Sequence, residues 1–230
     1  MKARYLIPAL LALTGGTLSA DPKPALVVQV VQTDDSDAYV AAITKINAIV
    51  KARTGIDKLR HVWTGDIAGE NSHGIFVVSE FPSAAAIYAT TDKLKDDPEM
   101  KALLAQLKGM RRLGPSFLYK AVRYEGHYEG GAVFNTSINC TDEAAYAKQL
   151  DGLKAILVAN GFTEVKVNLW RIASGRTEAT HLVVIALPTL ARVGELWDSL
   201  NDKDLLADWF VGAAKVRTTV NNGSYNEITK

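Results

Sequence analysis

The sequence predicts an α+β protein made of two tandem βαββαβ units. Three observations carry this. An amphipathic helical pattern occurs twice at one fixed offset. Runs rich in β-branched and aromatic residues flank both copies in the same order. A tryptophan sits in the second of these runs each time, at Trp63 and Trp170, 107 positions apart. Self-similarity at a fixed period is the mark of a duplicated unit.

The elements can be taken in chain order. "ALVVQVVQT" (Ala25 to Thr33) and "AVFNTSINC" (Ala132 to Cys140) read as first strands. The first helix places Tyr39, Ile43, Ile46 and Val50 on one face, at i, i+4, i+7 and i+11. Tyr146, Leu150, Leu153 and Leu157 repeat that spacing in the second half. Ser36 and Thr141 are the expected N-caps, and Gly55 and Gly161 the expected stops. "LRHVWT" and "EVKVNLWRI" follow as second strands, then "GIFVVSEF" and "HLVVIAL" as third strands. Each second helix is expected to be broken. In the first half Asp97 and Pro98 restart it, since Pro suits a first helical turn. "SFLYKAV" and the polar "RTTVNNGSYNEI" close the two copies, the latter short or bulged.

Each half thus has the ferredoxin-like order, an antiparallel four-stranded sheet with both helices on one face. Strands such as Leu26 to Val31 are apolar on both faces, so the bare face needs covering. Two sheets joined edge to edge in one barrel would cover it and protect the edges. The tandem resembles the dimeric α+β barrel superfamily, which includes antibiotic-biosynthesis-monooxygenase-like and stress-responsive barrel domains. "SEFPSAAAIYA" (Ser79 to Ala89) is similar to a strand-to-helix junction of small members. The resemblance spans Ala25 to Ile228 and implies one chain supplying both halves of an intrachain pseudo-dimeric barrel. The expected boundaries are residues 21–123 for the first unit, 124–130 for a linker and 131–230 for the second.

Residues 1–20 read as a secretory signal peptide, with basic Lys2 and Arg4, an apolar run and a small-residue ending at Ala20. This implies a periplasmic or secreted protein. Loss of Lys2 and Arg4 takes the formal net charge from +1 to −1. A near-neutral chain has no electrostatic footprint for nucleic acid, and no later segment is apolar enough to span a membrane. The lone Cys140 excludes an internal disulfide. It reads either as a reactive thiol or, more plainly, as a small apolar residue at a strand end.

Side chains alternate across a strand, so His61 and Trp63 share a face, as do Asn168 and Trp170. If that face meets the helices, these residues line a cleft between sheet and helices, where the resembled superfamily usually binds ligands. If it faces the barrel interior, both tryptophans are core. In the cleft reading Trp63, Trp170, Tyr39, Tyr146 and Arg171 contact a small apolar or aromatic ligand, with His61 and Asn168 as candidate catalytic groups. "RYEGHYEGG" (Arg123 to Gly131) spaces Glu125, His127 and Glu129 alternately. Extended, the three could ligate a metal; the plainer reading is a glycine-punctuated linker. His73 and His181 read as rim residues at the starts of third strands. No phosphate loop, Cys-x-x-Cys, H-E-x-x-H or G-x-S-x-G occurs, and no motif calls for a cofactor. The leading expectation is an exported accessory or binding protein. The alternatives are a cofactor-independent monooxygenase acting on a phenolic or quinoid substrate, which the resemblance suggests, and a structural module without ligand. A monomer is expected, since the chain carries both halves.

Overall fold

The computed structural model describes residues 23–57, 59–65, 74–175, 178–202 and 205–229. The first half runs β1 (Ala25–Gln32), α1 (Ser36–Thr54), β2 (Arg60–Gly65), β3 (Ile75–Phe81), α2 (Ala84–Leu94), α3 (Pro98–Met110) and β4 (Arg112–Arg123). The second runs β5 (Ala132–Cys140), α4 (Glu143–Ala159), β6 (Lys166–Ser174), β7 (His181–Leu187), α5 (Leu190–Asp202), α6 (Ala207–Ala213) and β8 (Arg217–Glu227). The segment read as a signal peptide, and His73, lie outside the described residues.

The strands form a closed barrel in the order β1-β3-β2-β8-β5-β7-β6-β4. Every pairing is antiparallel. Closure needs both inter-half seams, β2 with β8 and β4 with β6. A closed barrel leaves no row of unpaired backbone groups, which is why edges exposed in a lone four-stranded sheet vanish here. β8 is long rather than short, and its pairing with β5 shifts register between Ser137 and Ile138.

The helices lie outside the barrel, and the layer beneath them is filled. In the first half Tyr39, Ile43, Ile46 and Val50 of α1 pack with Leu103 and Leu107 of α3 on Val62 and Val77. In the second, Tyr146, Leu150, Leu153 and Leu157 of α4 pack with Val193 and Leu196 of α5 on Val167, Leu169 and Val183. Burying each such aliphatic side chain contributes about 1.5–3 kcal/mol. This layer leaves no room for a ligand around Tyr39 and Tyr146, which are 0% and 1% exposed. Both helix breaks are present. Asp97 Oδ1 accepts from Met100 N at 2.9 Å and restarts the first helix at Pro98.

The caps differ from the sequence expectation by one residue. Asp35, not Ser36, accepts from Ala38 N, and Asp142, not Thr141, accepts from Ala145 N, each at 2.9 Å. A carboxylate one residue earlier or later also gains from the positive helix end, so the acid outcompetes the hydroxyl. Gly55 ends α1 with φ 78° in the left-handed region. Cys140 is half-buried at the end of β5, and burial pushes its thiol up, against a reactive role.

Candidate functional site inside the barrel

β3 shows how the faces divide. Ile75, Val77, Ser79 and Phe81 are buried under the helices, whereas Phe76, Val78 and Glu80 point inward and are only half-buried. Inward residues of a closed barrel stay accessible only if the lumen is not filled. It is not: it holds a cavity of about 360 Å³, within the range of small-molecule sites. Leu26, Val28, Phe76, Val78, Phe117 and Tyr119 form part of its apolar wall.

His61, Trp63, Asn168 and Trp170 all line this cavity. They face the interior, not the helices; the two tryptophans are buried in small apolar clusters there, as the interior reading expects, and all four residues still border the cavity. The expected cleft between sheet and helices is therefore replaced by a lumenal site. Three of the expected ligand contacts do not reach it. Tyr39 accepts a hydrogen bond from Arg111 Nη1 at 3.1 Å within the helical layer. Tyr146 stacks near Trp209 in the same kind of layer. Arg171, on the outward face of β6, pairs with Glu143. The alternation along β6 that turns Trp170 inward turns Arg171 out.

The segment between the halves is not a loose linker. It crosses the end of the barrel where β4 finishes and β5 begins. Tyr124, Gly126 and His127 line the cavity from there. Asn168 holds it: Oδ1 accepts from Glu125 N at 2.6 Å, and Nδ2 donates to Gly126 O at 2.9 Å. Lys166 Nζ donates to His127 O at 2.8 Å, and Gly130 N donates to Glu227 Oε2 at 2.7 Å. Gly131 is required by close approach, since a Cβ there would stand 2.8 Å from Leu187 O. Gly126, at φ 89°, supplies the left-handed turn just before His127. Asn168 thus positions the segment as well as lining the cavity.

His127 meets His61 edge to face at 4.6 Å between ring centroids. Its Nδ1 lies 3.3 Å from Glu80 Oε2. The expected set of Glu125, His127 and Glu129 does not form. The segment is not a regular strand, and Glu125 turns to Arg123, Lys154 and the Val167 N–H instead. His127 joins His61 and Glu80, whose potential ligand atoms all lie within 4.8 Å of one another. Behind His61, its Nδ1 meets Glu227 Oε1 at 2.8 Å, and Thr229 Oγ1 donates to the same oxygen at 2.8 Å.

The electrostatics of this cluster favour anionic carboxylates. Burial works to raise Glu80, but hydrogen bonds from His127 and Tyr124 outweigh it and hold the carboxyl below its usual range. Glu227 is likewise held down, against burial, by His61 and Thr229. Burial and the bond to Glu80 push the Tyr124 phenol far up, so it remains a donor. Deeper in the lumen, burial takes Tyr119 up to about 12. Asn135, also on the wall, has a buried Oδ1 with no hydrogen-bond partner among the described residues.

Sequence reasoning missed Glu80, Tyr124 and Glu227. A signal for Glu80 was present: it shares the apolar face of "IFVVSEF" with Phe76 and Val78, and an inward charge in a strand asks for partners. Glu227 carried no such signal, because its partner His61 is 166 residues away.

Comparison with known proteins places the fold. No family profile matches the sequence, and no curated protein matches it. Solved structures do. A monooxygenase-like protein of Lactobacillus acidophilus superposes with TM-score 0.56 at 5% identity, over 90% of this chain and 93% of that one. An anthrone oxidase-like protein gives 0.52 at 13%, over 92% and 94%. A heme-binding protein of Thermus thermophilus gives 0.51 at 10%, over 89% and 91%. The chain therefore has the dimeric α+β barrel fold, which at these identities is a statement about architecture. The helix-facing side of this sheet does not suit a haem. Among the described residues its one imidazole is His181, whose nitrogens meet Thr180 at 2.8 Å and Glu143 at 2.9 Å.

Proposed function

We propose that this chain binds a small aromatic molecule bearing a hydrogen-bond donor inside its barrel. The observation that carries the reading is the cavity of about 360 Å³, apolar along its wall and polar at one end. Trp63, Phe76, Phe117 and Trp170 offer ring faces and edges to an aromatic guest. The unpartnered Asn135 Oδ1 calls for a donor that a phenolic guest would supply. One chain closes the whole barrel, which supports a monomeric pseudo-dimer as the unit that binds the ligand and leaves further association of barrels open. The basic-then-apolar start of residues 1–20 supports export to the periplasm or beyond.

A second reading, catalysis on the bound phenol, has one specific support. Glu227 behind His61 Nδ1 leaves Nε2 as the acceptor, the arrangement of a general base. Thermal-shift measurements with phenols and quinones test binding, alongside quenching of tryptophan fluorescence. Stabilisation that disappears in a Val184→Trp variant, which fills the lumen, supports the reading. The absence of any stabilisation across both classes overturns it.

A further inference from the structure

We propose that His61, Glu80 and His127 bind a divalent transition-metal ion at the closed end of the lumen, its open coordination positions facing the cavity. The three come from β2, β3 and the segment between the halves. Their donor atoms lie within 4.8 Å of one another. An ion held at about 2.0–2.2 Å from each needs donors roughly 3 to 3.5 Å apart, so the widest pair has to close by roughly 1–2 Å around it. Two imidazoles and one carboxylate are a donor set for first-row divalent ions, and three protein ligands leave room for an exogenous one.

What surrounds the three is as informative as the three themselves. A histidine ligand usually has its second ring nitrogen tied to a carboxylate, which fixes its tautomer and aim. Glu227 does this for His61 at 2.8 Å, and is itself held by Thr229 and the Gly130 N–H. Tyr124 donates to Glu80. His127 cannot drift, because the backbone on either side is pinned by Asn168 and Lys166. Such anchoring of a short glycine-rich segment is more than a connection between halves requires. It presents one imidazole to the site.

The open side of the ion would meet whatever occupies the lumen. The fitting ligand class is a small aromatic with an oxygen donor, such as a phenolate or an aryl carboxylate. That last step rests on the proposed lumenal binding; the metal site does not. A bound ion would occupy the His61 Nε2 lone pair, so ion binding and a base role for His61 exclude each other.

The test is titration of chelator-treated full chain with Co(II), followed by calorimetry and visible absorption. One equivalent per chain is expected, with ligand-field bands and two paramagnetically shifted imidazole N–H signals in the proton spectrum. His127→Ala and Glu80→Gln should each weaken binding at least tenfold, and Glu227→Gln by about 10–100-fold. His181→Gln, outside the lumen, should leave it unchanged, and circular dichroism checks folding throughout. If a variant does not fold, the two shifted imidazole signals of the unaltered chain still decide. Absence of stoichiometric binding, or binding insensitive to Glu80 and His127, shows a self-satisfied hydrogen-bond network and overturns the proposal. Phenol binding by the metal-free chain tests the lumenal reading separately.

Discussion

Glu227, the last residue of β8, accepts a hydrogen bond from His61 Nδ1 at 2.8 Å, across the β2–β8 seam that joins the two halves. One contact therefore serves two ends: it stitches the barrel shut and sets the orientation of an imidazole at the cavity. Its carboxylate is 0% exposed and its partner ring 7%. Removal of one member of such a pair leaves the other buried with too few partners. Glu227→Gln should cost about 1–3 kcal/mol by urea denaturation. The His61 ring resonances should also lose their single-tautomer signature in nitrogen-edited spectra. An unchanged tautomer would show that Glu227 does not orient the ring.

Asn168 is expected to matter through the segment it holds. Asn168→Ala removes the bonds to Glu125 N and Gly126 O, at about 1–3 kcal/mol for the buried groups left behind. Hydrogen exchange should rise across residues 124–131 and little elsewhere. Uniform acceleration over the whole barrel would mean that Asn168 supports general stability instead.

Tyr146 separates core from site. It is 1% exposed on the inner face of α4, and burial takes its phenol up to about 12. Tyr146→Ala should lose about 3–5 kcal/mol, the range for deleting a large buried aromatic ring. The affinity of the folded fraction for a lumenal ligand should not change. A selective loss of affinity would return the site to the helical layer.

The acid limb of stability should depend on Glu143. Hydrogen bonding from Arg171, followed by that from His181, outweighs burial and takes Glu143 from 4.5 to about 2. Because the folded value is the lower one, the stabilisation is fully present above about pH 4.5 and fades as pH falls toward about 2. The pair sits near the surface, with Glu143 26% exposed, so solvent screening limits its worth to roughly 1 kcal/mol. Urea denaturation of the original chain and of Glu143→Gln should differ at pH 6 and converge near pH 2. A gap that stays constant with pH would refute the assignment.

Much of the architecture was legible because it rests on local periodicity. The spacing Tyr39-Ile43-Ile46-Val50 and its repeat at Tyr146 name the faces that bury under α1 and α4. The alternation in β2 and β6 pairs His61 with Trp63 and Asn168 with Trp170. The candidate site was legible only in part. His61 and His127 each stood out, but in separate settings, and the sequence reading assigned His127 to neighbours at two-residue spacing. That spacing has meaning in a strand, and the segment is not one.

By itself, then, the sequence determined which residues share a face and that the order of strands and helices recurs. Those are properties of helical and strand repeats within a few turns of chain. The tertiary structure alone decided which side of the sheet each face meets and what lies opposite it. Barrel closure turned the His61–Trp63 face inward and brought Glu227 from 166 residues away. It also made the join between the halves into the wall of a cavity. Contacts of that kind depend on the path of the whole chain, and no local spacing encodes them.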